Sequence, residues 1–267
     1  MVTLWRGVIF FLKDLISFII YITILVFFRK RHENITFLYH SVGYVNSKED
    51  PYRLNIFPEV FDKHLKVISK YRDKIEITFD DGFGNNFENV FPTLKKYNLN
   101  ATIFLVTDFI DGKFGPENFA GKSFKERPLT WEEIRIMDRT GIKFGSHSKT
   151  HSLLTKLSKD ELGRELIDSK RRIEEMLGHK IDSFAYPFGG MDSFNDQTRE
   201  VLMEAKYNCA YTNIMGRNPA NPSDKFTIRR TRVYRDDGPF KLRMKISSAY
   251  DWVDKVVGMK RIKTGCD

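Results

Sequence analysis

The sequence alternates short apolar runs with longer amphipathic runs, and this order limits the folds that the chain can adopt. Runs typical of buried strands are followed by runs with apolar residues at helical spacing, about six or seven times between residues 35 and 235. The strand-like runs are ITFLYH, KIEITF, ATIFLV, IKFGSH, IDSFAYPFGG, NCAYTN and KFTIRRTRVY. Such alternation predicts right-handed crossovers and a parallel sheet, either doubly wound or closed into a barrel.

Two of the predicted helices carry boundary signals. Thr130 precedes one helix with Glu133 three residues later, and Ser158 and Glu161 repeat this spacing in the next helix. An N-cap hydroxyl with an acid three residues on satisfies free N–H groups of the first turn. Gly178 marks the end of the second helix, because glycine readily adopts the left-handed conformation found there.

The N-terminal segment is strongly apolar. LISFIIYITILVFF (15–28) has no charged residue, and RKRH follows directly. A full membrane span needs about 20 apolar residues, so a span would extend back through Lys13 and Asp14. We predict that residues 1–31 form a membrane anchor, either a span or an interfacial helix, which contacts membrane lipids at a bacterial-type inner or plasma membrane. The basic residues after the apolar run weakly favour a cytoplasmic domain, and the side of the membrane stays open.

The net charge of +9, with a pI near 9.3, favours an anionic partner. A nucleic acid is not expected, because the sequence has no zinc-finger, RRM or helix-turn-helix signature. An anionic membrane surface or a phosphate-bearing lipid is the alternative. For the tail 239–267 we predict a basic C-terminal helix that either packs on the domain or contacts anionic headgroups.

Acidic and imidazole side chains follow two of the predicted strands. Asp80 and Asp81 come directly after KIEITF, and SHSKTH places His147 and His151 after the strand at 142–145. Sites in parallel α/β domains form where the strands end. Two neutral imidazoles and one carboxylate suit a divalent metal, Zn²⁺ most of all, and they leave one coordination position open for water. The second aspartate is then free to take a proton from a water that the metal makes more acidic.

Three motifs resemble a known family. TFDDG, SHSKTH and FAYPFGG are similar to the first three motifs of the polysaccharide deacetylases, also called the NodB-homology or carbohydrate esterase 4 family, and the resemblance covers about residues 35–235. It implies a distorted (β/α)7 barrel, which we place at residues 32–238, that hydrolyses N-acetyl groups of amino sugars. The complete fold prediction is an α/β barrel of the NodB type preceded by an N-terminal hydrophobic membrane helix.

The resemblance also implies roles for individual residues. By motif position Asp80 is the base, and Asp81, His147 and His151 are the metal ligands. Pro187 and Phe188 would line the substrate site, with a backbone N–H near Phe188 helping to hold the oxyanion.

The sequence departs from the family pattern at two places. Ala185 stands where most members have an arginine that orients the base; Arg230 or Arg232 could replace it, or be a solvated pair on an edge strand, and we assign Arg230 to the substrate site. No histidine follows His179, although the family usually takes its acid from a late histidine. FAYPFG resembles the branch acting on poly-N-acetylglucosamine, whose acid histidine comes from the first strand, and this indicates His40.

These observations leave three functional hypotheses. The first is a membrane-attached, metal-dependent hydrolase of linear amide bonds that deacetylates amino sugars in a polysaccharide or glycan. The second keeps the chemistry and takes a lipid-linked sugar at the cytoplasmic leaflet as its substrate. The third is a non-catalytic carbohydrate- or lipid-binding protein, which the missing arginine and missing late histidine would explain.

Overall fold

The computed structural model describes residues 12–23, 34–46, 48–121, 123–219, 221–247 and 249–252. The strands in these ranges are β1 (Ile35–Tyr39), β2 (Ser41–Val42), β3 (Asn55–Ile56), β4 (Ile75–Phe79), β5 (Thr102–Leu105), β6 (Lys143–Ser146), β7 (Ser183–Ala185), β8 (Cys209–Tyr211) and β9 (Thr231–Arg232). The α-helices are α1 (residues 12–23), α2 (Pro58–Ile68), α3 (Phe91–Tyr97), α4 (Thr107–Ile110), α5 (Trp131–Asp138), α6 (Lys159–Leu177), α7 (Asp196–Glu204) and α8 (Pro239–Ile246).

Seven of these strands form one parallel sheet in the order β8-β7-β6-β5-β4-β1-β9. From β4 to β8 each strand lies beside the next one in the chain, with a helix in each connection. This confirms the parallel α/β architecture predicted from the alternating runs. The carboxyl ends of β1, β4 and β6 lie at the same edge of the sheet, because parallel strands point the same way.

An irregular stretch of chain connects the two edge strands of the sheet. The N–H groups of Ala210 and Thr212 donate to the carbonyls of Lys225 and Ile228, both at 2.8 Å, and Arg230 N–H donates to the Ile214 carbonyl at 3.1 Å. The same stretch then continues into β9, which pairs with β1. The sheet is therefore curled, and backbone contacts of residues 225–232 bring its edges together without a regular strand.

Apolar side chains fill both faces of the sheet. The larger group packs against the helices and includes Phe61, Phe79 and Ile103. A smaller group on the opposite face consists of Phe104 and Tyr211 with Ala185, since neighbouring residues of a strand point to opposite faces. The inner face of the curled sheet is thus packed, and functional groups are left to the ends of the strands.

Gly145 in β6 allows this inner packing. A Cβ atom at this position would lie 2.6 Å from the Phe104 ring and 2.7 Å from Ser183 Oγ. We expect Gly145→Ala to lower the free energy of unfolding by about 1–3 kcal/mol because of overpacking. Gly163→Ala is the control, since a Cβ on Gly163 in α6 meets no heavy atom within 4 Å, and it should raise the free energy of unfolding by up to about 1 kcal/mol. Urea titration measures both, and equal effects at the two sites would contradict this explanation.

Helix α1 was predicted to belong to a membrane anchor. Its described part, residues 12–23, includes Lys13 and Asp14, and at about 1.5 Å per residue it is far shorter than a hydrocarbon core of about 30 Å. Asp14 pairs with Lys241 of α8 at 3.4 Å and accepts a hydrogen bond from the Tyr250 hydroxyl. The predicted membrane location is corrected here: among the described stretches, no helix has both the length and the apolar character needed to cross a bilayer. The remainder of the predicted anchor lies outside the described residues.

The basic C-terminal helix predicted for 239–267 corresponds in part to α8. Two of its lysines pair within the domain: Lys245 Nζ lies 2.5 Å from the Asp237 carboxylate, and Lys241 Nζ lies 3.4 Å from it. Residues 253–267 lie outside the described part of the chain. In the described part, these lysines therefore serve packing of the helix on the domain.

Candidate metal and catalytic site

Three of the predicted metal ligands meet at the carboxyl edge of the sheet. Asp81 follows β4, and His147 and His151 follow β6. Asp81 Oδ1 lies 3.6 Å from His147 Nε2 and 3.7 Å from His151 Nε2. One ligand atom from each residue lies within 4.8 Å of the other two. The structure thus brings these side chains into a single small cluster.

A hydrogen bond on the side of the ring away from the cluster fixes the orientation of His147. Its Nδ1 lies 2.8 Å from the carbonyl oxygen of Ala185 in β7. Since a carbonyl only accepts, Nδ1 carries the proton and Nε2 presents its lone pair to the cluster. Hydrogen bonds of this kind hold metal-ligating histidines in their tautomer and ring orientation.

The cluster fits a divalent cation. Asp81 Oδ1 is buried and has no hydrogen-bond partner among the described groups, and a bound cation would satisfy it. The spacing of 3.6–3.7 Å is close to the separation of about 3.4 Å between ligands of a tetrahedral zinc with bonds of about 2.0–2.1 Å. Two imidazole nitrogens and one carboxylate oxygen are also a ligand set that zinc favours.

Burial keeps the two histidines in the neutral form that a metal ligand requires. Burial, and then the charge of His147, lowers the pKa of His151 to about 3. Burial is also the largest cause of the lowered pKa of His147, so both rings are neutral near pH 7. Burial and then the neighbouring Asp80 raise the pKa of Asp81. A bound cation would lower the pKa of Asp81 and so favour its ionised carboxylate.

Asp80 lies beside the cluster but is held by a different partner. Arg230 Nη1 and Nη2 donate to the two Asp80 oxygens, each at 2.7 Å. Burial raises the pKa of Asp80, but the charge of Arg230, followed by that of His147, outweighs burial and holds the pKa below its ordinary value. Asp80 is therefore a fully buried carboxylate that stays ionised and has a fixed orientation.

The contacts of Arg230 show that it faces Asp80, where most family members use an arginine at the position of Ala185. Arg230 is 1% exposed, and it also donates to the carbonyl of Thr212 at 2.9 Å and to Asn213 Oδ1 at 2.8 Å. The alternative of a solvated edge-strand residue does not hold for Arg230. Its guanidinium faces Asp80, so the geometry favours an orienting role over the substrate contact to which the sequence analysis assigned it.

His40 lies at the end of β1, next to this carboxylate. It is 8% exposed, and its carbonyl accepts a hydrogen bond from Asn86 Nδ2 at 2.9 Å. Burial and then the charge of Arg232 lower its pKa, and Asp80 is near enough to oppose them. The resting ring is therefore neutral, and its role as the acid stays a prediction.

The turn after β7 borders the cluster. Phe188 is 54% exposed and has a φ of 62°, and its ring centroid lies 4.9 Å from that of His151. The Gly189 N–H donates to the Pro187 carbonyl at 2.7 Å, which tightens the turn. Within the described chain, the Phe188 N–H has no protein acceptor, and it is available to an oxyanion.

Phe119 is a neighbour of the site that the sequence analysis did not identify. Its ring stacks on that of His151 with a centroid distance of 4.9 Å. His151 thus lies between two phenylalanine rings. No sequence signal could have indicated this contact, because Phe119 neither ends a strand nor belongs to a motif.

Comparisons with known proteins agree with this geometry. The family model for polysaccharide deacetylases matches residues 68–210, which is more than half of the chain. YxkH of Bacillus subtilis is 29% identical over 218 residues, which cover 73% of this chain and 70% of that protein. A poly-beta-1,6-N-acetyl-D-glucosamine N-deacetylase of Staphylococcus aureus is 31% identical over 140 residues, or 48% of this chain. The match spans only 44% of the staphylococcal protein.

Solved structures share the fold. The deacetylase PplD of Streptococcus pyogenes, in complex with acetate, superposes with a TM-score of 0.66 at 21% identity, covering 81% of this chain and 99% of that one. IcaB from Ammonifex degensii gives a TM-score of 0.65 at 19% identity, covering 83% of this chain and 98% of that one. The curled parallel α/β fold is therefore of the NodB type, and the matched family model shows that the chain belongs to the polysaccharide deacetylase family.

Proposed function

We propose that this polysaccharide deacetylase family member is a metal-dependent amide hydrolase that removes N-acetyl groups from amino sugars of a glycan. The observation that carries the proposal is the cluster of Asp81, His147 and His151 beside an Asp80 carboxylate that Arg230 orients. The cluster can hold a cation, and the second carboxylate can accept a proton, which are the two requirements of metal-assisted hydrolysis.

The proposed metal ligands are Asp81 Oδ1, His147 Nε2 and His151 Nε2. We propose Zn²⁺ as the ion, since the donors are two imidazoles and one carboxylate. When bound there, the ion would supply Lewis acidity that makes a water more acidic and the acetamide carbonyl more electrophilic.

Asp80 is the proposed general base. Arg230 occupies both of its oxygens from one side, and this contact fixes the carboxylate plane and keeps the carboxylate ionised. His147 Nε2 lies 3.8 Å from Asp80 Oδ2, so the base lies next to the cluster, but both of its oxygens are held by Arg230. A water between Asp80 and the carbonyl carbon would lose its proton to Asp80 as it attacks.

The other groups act on the developing charges. The Phe188 N–H is the proposed donor to the oxyanion, because Phe188 borders the cluster and its N–H has no acceptor in the described protein. His40 is the proposed acid toward the leaving amine. Because its ring is neutral at rest, it must gain a proton before it can donate one, and the proton that Asp80 takes from the attacking water balances the one that the leaving amine receives.

The proposed substrate is a polymer of N-acetylglucosamine. The staphylococcal relative is named for deacetylation of poly-beta-1,6-N-acetyl-D-glucosamine, and we extend that substrate class to this chain. The alternative of a lipid-linked sugar at the cytoplasmic leaflet stays a prediction. The hypothesis of a non-catalytic binding protein is weakened, since the Arg230–Asp80 contact removes one of its reasons.

Chelation tests this proposal. Purified protein should release acetate from N-acetylglucosamine oligomers, lose this activity in a chelator, and regain it when Zn²⁺ is added. Metal analysis of the same preparation should give about one zinc per chain, which His147→Ala should reduce to background. Acetate release that persists at full rate in the chelator would contradict metal dependence. Metal bound without any acetate release, from β-1,6-linked oligomers or from other linkages, would contradict the deacetylase proposal.

A further inference from the structure

The loop that carries His151 has an unusual backbone. Ser148 and His151 have φ angles of 65° and 62°, in the left-handed region that side chains other than glycine rarely adopt. Each such residue costs about 1–3 kcal/mol and persists only where surrounding contacts hold it. Contacts outside the metal cluster must therefore hold this loop.

Glu165 of α6 makes such contacts. Its Oε2 accepts hydrogen bonds from the backbone N–H groups of Lys149 and Thr150, both at 2.9 Å. Its Oε1 accepts the hydroxyl of Thr150 at 2.6 Å. Glu165 is 7% exposed and is the buried acid of α6, whose other acids are partly or fully exposed. One buried carboxylate therefore holds both residues between Ser148 and His151.

The chemistry of these contacts explains why an acid is required. A carboxylate is an acceptor at both oxygens, and its hydrogen bonds to N–H groups are about twice as strong as neutral ones. Two successive N–H groups that converge on one oxygen fix the direction of the peptide chain. The His151 N–H then donates to Ser148 Oγ at 3.0 Å, so the imidazole follows the orientation that Glu165 sets.

We propose that Glu165 is a positioning residue for the metal site, which holds the 148–151 loop so that His151 faces Asp81. This inference rests on the proposed metal site and adds a residue that contacts neither the cation nor the substrate. Helix α6 thereby belongs to the functional unit. The capping box at Ser158 and the packing of Leu162 and Leu166 fix where the helix presents Glu165.

Zinc affinity of the full chain tests this role directly. Glu165→Ala removes all the acceptors, and we expect its affinity for Zn²⁺, measured by competition with a chromophoric chelator, to fall by about 10–100-fold. Glu165→Gln can keep one carbonyl acceptor for the two N–H groups, so its loss should be smaller. The control is Asp168→Asn one turn later, because the Asp168 carboxylate forms its ion pairs, among the described residues, with the side chains of Lys149 and Arg171 and binds no N–H group of the loop. Its Zn²⁺ affinity should equal that of the wild type.

The outcomes separate positioning from general stability. Equal Zn²⁺ affinities for wild type, Glu165→Ala and Glu165→Gln would overturn the inference. A drop in thermal stability of the metal-free protein without any drop in Zn²⁺ affinity would also overturn it, since a merely structural role predicts that result. If Glu165→Ala fails to fold, Glu165→Gln decides by the same measurement. Failure of the deacetylase proposal would appear separately, as normal Zn²⁺ binding by the wild type with no acetate release.

Discussion

Replacing Asp80 with asparagine is expected to lower the rate of acetate release by at least about 10²–10⁴-fold, the usual contribution of a general base. The amide cannot accept the proton of the attacking water. Because Asp80 is held by Arg230 and is not one of the three clustered ligands, the Asp80→Asn protein should still bind Zn²⁺. Steady-state acetate assays and zinc titration of the same sample measure the two effects.

The adjacent residue provides the matched comparison. Asp81→Asn also replaces a carboxylate by an amide, but in the neighbouring residue, whose Oδ1 faces His147 and His151. We expect this variant to lose both Zn²⁺ binding and activity, whereas Asp80→Asn loses activity alone. Full activity of Asp80→Asn, or loss of zinc from it equal to that of Asp81→Asn, would refute the assigned division of roles.

Arg230→Met is expected to lower the free energy of unfolding by about 3–5 kcal/mol, because it leaves a buried carboxylate without its counter-charge. Arg230 and Asp80 have side chains exposed by only 0% and 1%, so water cannot replace the lost partner. Acetate release should also fall strongly, since the base is no longer held in its orientation. Urea unfolding of the metal-free protein measures the first effect, and kcat the second.

A double variant isolates the interaction between these two residues. Asp80→Asn alone leaves the Arg230 charge buried beside an amide, and the double change removes both charges, so its destabilisation should be less than the sum of the single ones. Arg230→Lys keeps the charge but not the two-pronged geometry, and it serves if the methionine variant does not fold. Additive single effects, or an Arg230→Met protein as stable as the wild type, would contradict a strong buried pair.

Much of the fold could be predicted because it depends on local sequence. The alternation of strand and helix runs gives the parallel sheet, and the two capping boxes at Thr130 and Ser158 occur where the sequence signals place them. The predicted membrane location was wrong for a physical reason. Counting apolar residues gave weight to the length of the run, whereas the charge of Asp14 finds its partners at Lys241 of α8 and at Tyr250, both far away in the sequence.

The candidate site likewise contains residues that the sequence predicts and residues that only the fold brings together. Asp81, His147 and His151 belong to short motifs at strand ends, so the sequence alone brings them to one edge of the sheet. Arg230 is 150 residues from Asp80 in the sequence. It reaches the Asp80 carboxylate, and Arg232 does not, because of the way the sheet curls, which the sequence does not reveal. Glu165 carries no signal of its role in the sequence, because the backbone N–H groups that it binds are brought to it only by the fold.

The stretch at 225–232 that joins the sheet edges also delivers Arg230, and this links catalysis to the timing of synthesis. As the chain emerges from the ribosome, β1 and β4 to β8 can pair while Asp80 still lacks its guanidinium. The nascent protein therefore contains all three cluster residues before Arg230 can orient Asp80. Under the proposed mechanism, we expect deacetylase activity only after this late segment has docked and placed Arg230 beside Asp80.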